Sequence, residues 1–384
     1  MCAASPAPAA RRVIAQRFTA QLLSGPPAQQ VTDVADRLLA VQAQDPRGAR
    51  LAIRARSTGL SAHDVDDAFT RDRSIVVSWL NRGTLHLVRA EDYWWLHPLT
   101  TPRLSTGTAR RLAQEGVSPD AAERGVAVIE HALADHGPQT RSQLRARLDA
   151  AGVRTAGQAQ VHILVLASLR GSIVRGPMVG AHQAFVLVRD WLGTPPPALD
   201  HDVALGELAR RYLVGHAPAG AADLAKWAGI PLGEARRGLR AIGAAIVERA
   251  DGLVALAGSA AANRSDVRAT TPSLPRPRLL GAFDPLLLGW ASREPILGSH
   301  QGVVTVNGLF RPIALVKGRA AATWSMPNRT VVLAPFEPIS DSHTRALHRD
   351  GGDVVRFLFD RPDASGRSKT PTDPPDNDQS GDDV

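Results

Sequence analysis

Two glutamines separated by one residue, Gln42 and Gln44, form the pair whose spacing most directly suggests chemistry. Apolar residues recur over 34–41 at the 3.6-residue period of a buried helix face, and Gln42 continues that face. An unpaired buried amide costs roughly 1–3 kcal/mol, so this side chain needs a partner or a cleft. Pro46 disfavours helical geometry at Asp45. We therefore expect the helix to end near Gln44, which lets the two amides converge.

Amide side chains do not ionise near pH 7, so this pair can orient a water molecule but cannot transfer a proton. The adjacent Asp45 can, and it is a candidate general base that the glutamines would orient. Its alternative role is a solvent-exposed Asp-Pro turn. The whole segment also has a simpler interpretation as an ordinary helix end with polar residues.

Length and composition limit the class of protein. The chain has 384 residues, enough for two or three domains, and one cysteine, Cys2, which excludes an internal disulfide framework and a cysteine zinc site. The N-terminal residues lack a signal-peptide pattern, and no apolar run reaches 18 residues. We expect a cytoplasmic protein with no membrane contact, no metal and no cofactor, and most simply a monomer.

The charge distribution favours a polyanionic partner. The formal net charge is +8 and the isoelectric point about 10.7, whereas the last 24 residues carry six aspartates against three basic residues. A basic body with an acidic tail indicates nucleic acid first, and the alternative is a merely soluble basic surface. The proline-, aspartate- and serine-rich tail, residues 361–384, is expected to be disordered.

The order of predicted elements repeats along the chain. Helices followed by a β-hairpin occur three times, which is the order of a winged helix-turn-helix, and a β-rich segment follows. The fold class is therefore α+β. The predicted domains are a winged helix with the glutamine motif at 10–110, winged helices at 117–192 and 200–260, a β-rich module at 275–360 and the tail at 361–384.

The first predicted hairpin has its tip at Asn81-Arg82-Gly83. From there Arg82 can reach a phosphate or the minor groove, and its alternative is a solvated tip. His86, inside the second strand, is interpreted as a structural histidine.

Five motifs in order resemble the AlkZ/YcaQ-like family of tandem winged-helix proteins. They are VQAQDPRGA at 41–49, SWLNRGTLHLV at 78–88, DYWWLHPLT at 92–100, AFDPLLLGWASRE at 282–294 and NGLFRPIALVKGR at 307–319. Characterised members are DNA glycosylases that remove bulky or N-alkylated purines, including adducts of toxins that their hosts make. The resemblance implies three winged helices in a C-shaped arrangement around double-stranded DNA, and a C-terminal hairpin that probes the duplex.

The resemblance also implies functional residues. The family's catalytic motif, Gln–apolar–Gln, matches Gln42-Ala43-Gln44, and the matching segments imply DNA contacts. These DNA-binding residues are expected to be Arg47, Arg82, Thr84, Asp284 and Arg293. For Asp284 and Arg293, which flank an apolar run, a structural ion pair is the alternative.

Glycosidic cleavage usually needs two carboxylates, which two glutamines cannot replace as acid and base. An N7- or N3-alkylated purine already carries positive charge and departs as a neutral base. The site then only has to hold a water molecule and stabilise an oxocarbenium-like transition state. We therefore expect a monofunctional DNA glycosylase acting on cationic alkylated purines, in repair or self-resistance. The alternatives are a non-enzymatic DNA-binding regulator and a winged-helix scaffold without a nucleic-acid role.

Overall fold

The structure, a computed structural model, describes residues 8–259, 261–262, 274–305 and 307–360. The tail for which disorder was expected, 361–384, lies outside the described residues. No helix in the described ranges is both long and apolar enough to cross a membrane.

The first part of the chain contains six helices and three strands. In order they are α1 (Pro8–Ala20), α2 (Val31–Leu38), β1 (Val41–Gln42), α3 (Pro46–Arg54), α4 (Ala62–Thr70), β2 (Ile75–Leu80), β3 (Thr84–Arg89), α5 (Ala90–Thr100) and α6 (Leu104–Gln114). The hairpin predicted around 81–83 is present, as the turn between β2 and β3. The capping box at the start of α4 is also present, with Ser61 and Asp64 bonded reciprocally.

The helix expected to end near Gln44 ends earlier, so that prediction was wrong. Helix α2 stops at Leu38, and Leu39 adopts the left-handed region with a φ of 62°. Gln42 then lies on a strand. Asp45 and Pro46 begin the next helix instead of terminating the previous one, with proline at the first helical position.

Helices followed by a hairpin occur twice more. The second set comprises α7 (Pro119–His136), α8 (Arg141–Ala150), α9 (Ala159–Leu169), β4 (Ile173–Val179), β5 (His182–Leu187) and α10 (Val188–Leu192). The third comprises α11 (His201–His216), α12 (Ala221–Ala228), α13 (Leu232–Ala241), β6 (Ile246–Glu248) and β7 (Val254–Leu256).

The last part contains a four-stranded antiparallel sheet and a closing helix. Its elements are β8 (Arg278–Leu280), α14 (Pro285–Leu288), α15 (Glu294–Leu297), β9 (Ile313–Val316), β10 (Arg319–Ser325), β11 (Val332–Pro335) and α16 (Asp341–Phe359). The strand order is β11-β10-β9-β8. The module predicted to be β-rich, 275–360, therefore ends in the 19-residue helix α16.

The first two hairpins join into one sheet, in the order β1-β3-β2-β4-β5. The junction is a single antiparallel pair, Val77 with Arg175. The boundary predicted between 110 and 117 therefore separates segments whose strands pair with each other. A contiguous apolar core extends from α2 through this sheet to α9 and the C-terminal sheet.

The C-terminal segment packs closely on α3, directly after the glutamine motif. A Cβ atom on Gly48 would lie 2.3 Å from the carbonyl oxygen of Ala282, and one on Gly281 would lie 3.0 Å from the Cα atom of Gly48. Two glycines thus allow the two backbones to approach. This contact fixes the start of α3 against residues from the far end of the chain.

Candidate active site

Gln42 lies on β1, at the edge of the five-stranded sheet. It pairs with His86 of β3, and directly opposite residues of an antiparallel pair present their side chains on the same face. Gln42 is only 7% exposed, and its Oε1 accepts a hydrogen bond from Nη2 of Arg82 at 3.2 Å. The partner that a buried amide requires is therefore an arginine from the hairpin tip.

Gln44 is exposed but attached to the same hairpin. The Ala43 N–H donates to the Leu85 carbonyl at 2.7 Å, and Oε1 of Gln44 accepts from the Leu85 N–H at 3.2 Å. The structure thus brings both amide side chains to one hairpin, where that of Gln42 bonds to the tip residue Arg82 and that of Gln44 bonds near the start of β3. Each amide oxygen has a second lone pair, so both retain capacity for a water molecule.

Asp45 caps helix α3. Its Oδ1 accepts hydrogen bonds from the N–H groups of Arg47 and Gly48, each at 2.9 Å. This is the ordinary role of an aspartate before a helix. The geometry displays neither a solvent-exposed Asp-Pro turn nor a free carboxylate, since Asp45 is half-buried and one of its oxygens is engaged as the helix cap.

Arg82 is half-buried at the hairpin tip and does not extend into solvent. Besides its bond to Gln42, its Nη1 donates to the carbonyl oxygen of Trp227, at the end of α12. The adjacent Gly229 has a φ of 72°, and a Cβ there would lie 3.0 Å from the Arg82 nitrogen. The turn after α12 therefore covers the tip. Burial, with the nearby charge of Arg293, lowers the pKa of Arg82 to about 10, which leaves it charged at pH 7.

His86 is buried and neutral. Burial first, and the charge of Arg82 second, lower its pKa to about 3. Its Nδ1 is 2.8 Å from the carbonyl oxygen of Thr84 and donates to it. The sequence interpretation of His86 as structural does not include its neighbours Gln42 and Arg82. The position of His86 opposite Gln42 depends on the strand register, which the sequence does not reveal.

The remaining predicted DNA contacts have different environments. Thr84 is half-buried, and its Oγ1 has no hydrogen-bond partner among the described residues. Arg293 is half-buried; its Nε donates to the Leu287 carbonyl at 2.8 Å, and its guanidinium lies 5.0 Å from the ring centroid of Phe310. Burial lowers the pKa of Arg293.

Asp284 is not at a surface, so the DNA contact expected of it is not available. Its carboxylate is fully buried and pairs with the equally buried guanidinium of Arg56 at 2.8 and 3.0 Å. Oδ1 also accepts from the Leu286 N–H at 2.9 Å, capping α14. The alternative of a structural ion pair is correct for this residue, although its partner is Arg56, 228 positions away.

Arg47 is exposed in the first turn of α3. Its Nη2 lies 3.5 Å from the sulfur of Met326, the residue after β10. The tip of the β10–β11 hairpin, residues 326–331, is thus next to the glutamine motif. Across the described part of the chain, no group of three or more His, Cys, Asp or Glu side chains is placed to hold a metal ion.

Comparisons with known proteins agree with this architecture. The chain is 25% identical over 383 residues to an interstrand DNA cross-link repair glycosylase of Streptomyces sahachiroi, covering 94% of this chain and 98% of that protein. Its fold matches the solved Streptomyces sahachiroi DNA glycosylase AlkZ with a TM-score of 0.72 at 25% identity, covering 90% of this chain and 96% of the other. The profile of the "DNA glycosylase AlkZ-like" family matches residues 35–357. The chain belongs to the AlkZ-like DNA glycosylase family.

Proposed function

We propose that this chain is a monofunctional DNA glycosylase that hydrolyses the N-glycosidic bond of cationic alkylated purines, N7-alkylguanine first among them. The observation that carries the proposal is the make-up of the glutamine site. Its side chains are two amides, a histidine that is neutral at pH 7, and an arginine. The carboxylate that follows Gln44 in the chain, Asp45, is engaged as a helix cap.

Such a site favours one kind of leaving group. A neutral lesion such as uracil leaves more easily when an acid protonates it, and a histidine with a pKa of about 3 is not in its acidic imidazolium form at pH 7. A purine alkylated at N7 or N3 needs none. Gln42 and Gln44 would hold the attacking water, and their dipoles would stabilise the oxocarbenium-like transition state.

The same proposal includes the surrounding architecture. The three helix-plus-hairpin sets act as winged helices in a C-shaped arrangement around double-stranded DNA, and the β10–β11 hairpin probes the duplex beside the motif. Arg47, Thr84 and Arg293 contact DNA, whereas Arg82, which the turn after α12 covers, holds Gln42. The enzyme acts as a monomer in the cytoplasm, on the nucleoid when bound. Unhooking of bulky or cross-linked toxin adducts belongs to the proposal because the curated relative's name specifies interstrand cross-links.

The test is cleavage of a duplex carrying one N7-methylguanine, with abasic sites converted to breaks by alkali. The wild type should cut this duplex and leave a uracil-containing duplex intact. Gln42→Ala and Gln44→Ala should each abolish cutting, while Gln29→Ala, at an exposed glutamine outside the site, should cut normally. Undiminished cutting by the Gln42→Ala/Gln44→Ala double variant would contradict the assignment of the site.

Asp45 is the competing general base, and one substitution separates its two roles. Asp45→Asn keeps an oxygen that can cap α3 but removes the carboxylate. Retained cutting identifies Asp45 as a cap, and loss of cutting in a folded variant makes it the base. The absence of any lysine in the proposed mechanism predicts no borohydride-trapped adduct with DNA.

The alternative function is a non-enzymatic DNA-binding protein such as a regulator. It shares the basic surface and the winged helices but assigns no role to the two amides. Salt-sensitive binding to DNA without cutting of any alkylated duplex would favour it.

A further inference from the structure

A cleft of about 800 Å³ opens beside the first turn of α3, between that helix, the start of α8 and the β4–β5 hairpin. Pro46 and Arg47 form part of its wall, so it begins two residues after Gln44. The sequence motifs do not mark it, since its residues come from three separate parts of the chain, 46–66, 140–185 and 358. Its lining is strongly cationic. Five arginines, Arg47, Arg50, Arg141, Arg145 and Arg175, face a single carboxylate, Asp66.

Arg175, on β4, is the arginine whose surroundings are most unusual. Its guanidinium lies 5.4 Å from the ring centroid of Trp79 and 5.1 Å from that of Phe185, so it is held by two aromatic faces. Among the described residues it has no carboxylate partner, and its buried Nε has no hydrogen-bond partner. Burial, and the charge of Arg141, lower its pKa to about 10, so it remains a cation at pH 7.

The neighbouring charges leave this cation uncompensated. Asp66 is already bound by Arg50, whose Nε donates to it at 3.0 Å. Arg141 has a neutral partner, Gln160, whose Oε1 accepts from its Nε at 3.3 Å. Two arginines that repel each other therefore line the same cleft, and no carboxylate in the described ranges forms an ion pair with either. A buried cation without an opposite charge is unfavourable, and an anion entering the cleft would relieve that cost.

We propose that this cleft binds backbone phosphate of the DNA strand that flanks the target nucleotide, with Arg175 and Arg141 as its ligands. The proposal rests on the proposed function in taking DNA as the occupant. Guanidinium groups match phosphate oxygens in geometry and charge, and Arg175 is already oriented by its two rings. The short distance along the chain to Gln44 places such a phosphate near the reacting nucleotide. The contact reads no base, so it contributes equally to damaged and undamaged DNA.

The experiment measures binding of an undamaged duplex by fluorescence anisotropy over a range of salt concentrations. Two cleft variants, Arg175→Gln and Arg141→Gln, are each compared with Arg170→Gln. Arg141 is an exposed residue at the start of a helix, so its substitution spares the fold. Arg170 is paired with Glu123 outside the cleft and serves as the matched control. Each cleft variant should bind about tenfold more weakly and lose about one unit of the slope of log K against log salt. The control should match the wild type.

Cleavage of the N7-methylguanine duplex separates this inference from the proposed function. At enzyme concentrations below saturation, both cleft variants should cut this duplex more slowly, in step with their loss of affinity, whereas Arg170→Gln should cut at the wild-type rate. Wild-type affinity and salt slope in both cleft variants would overturn the phosphate assignment. If the wild type cuts no alkylated duplex but the cleft variants still lose affinity and slope, the proposed function fails and the phosphate site stands.

Discussion

Replacing Arg82 with methionine should slow base excision without preventing DNA binding. Methionine keeps an unbranched side chain in the same space but removes the charge and every donor. The bond of Nη1 to the Trp227 carbonyl disappears. The contact that matters for excision disappears with it, the bond of Nη2 to Oε1 of Gln42 at 3.2 Å. Hydrogen bonds to charged groups contribute about 1.5–3 kcal/mol. If Gln42 must be held in one orientation to position water, that loss corresponds to a rate about 10- to 100-fold lower.

The measurement is the single-turnover rate of cutting an N7-methylguanine duplex, with enzyme in excess and the dissociation constant determined separately. Arg103→Met is the matched control. Arg103 also links the first part of the chain to the third helical set, through Glu234, but it has no contact with the glutamine motif. Loosening of that interface alone would therefore affect both variants, whereas loss of Gln42 positioning affects only Arg82→Met.

Two results would refute this reasoning. A rate for Arg82→Met within twofold of the wild type, with Gln42→Ala inactive, would show that Gln42 needs no partner. A defect that vanishes at saturating enzyme would show that Arg82 serves binding alone.

Three further predictions follow from the same contacts. Asp284→Asn breaks the buried ion pair with Arg56 and should lower the free energy of unfolding, measured by urea titration, by about 3–5 kcal/mol. The folded variant should keep its DNA affinity, and an unchanged urea midpoint would contradict the prediction. Gly229 has a φ of 72°, and Gly229→Ala would place a Cβ 3.0 Å from the backbone nitrogen of Arg82. This variant should slow cutting as Arg82→Met does, whereas the control Gly233→Ala, at a glycine with open space around it, should not. Burial lowers the pKa of His86, and of the buried His216 at the end of α11, to about 3, against 6.5 in the unfolded chain. Between these two pKa values each histidine binds fewer protons in the folded protein than in the unfolded one. Stability should therefore fall as the pH drops below about 6.5, by about 2 kcal/mol per histidine at pH 5, and equal urea midpoints at pH 8 and pH 5 would exclude this effect.

Local signals in the sequence predicted the elements around the site well, but not the end of the glutamine helix. The turn at 81–83 depends on neighbouring residues and was found. The apolar period before Gln42 does not reveal that Leu39 leaves the helix, because a positive φ at leucine is imposed by packing. Pro46 was interpreted as ending one helix when it begins the next, and proline is compatible with both positions.

The partners of the site residues could not be predicted, because they lie far away in the chain. Arg82 contacts Trp227 across 145 positions, and Asp284 contacts Arg56 across 228. Pattern and charge identify such residues as unusual without specifying whether each faces solvent or the core. Arg175 was missed for the same reason, since a lone arginine in a strand gives no signal until Trp79 and Phe185 are placed beside it.

The position of Arg82 connects the lack of an acid in the site with the choice of substrate. A cation beside Gln42 contributes to keeping His86 unprotonated, because its charge and the burial of the ring both disfavour imidazolium. The same residue holds the amide that would position water. On the proposed function, Arg82 therefore supports attack by water and adds to the burial that keeps His86 from acting as the acid that neutral lesions would need. Selectivity for bases that leave without protonation then follows from the protonation states within the site, and not only from the shape of a pocket.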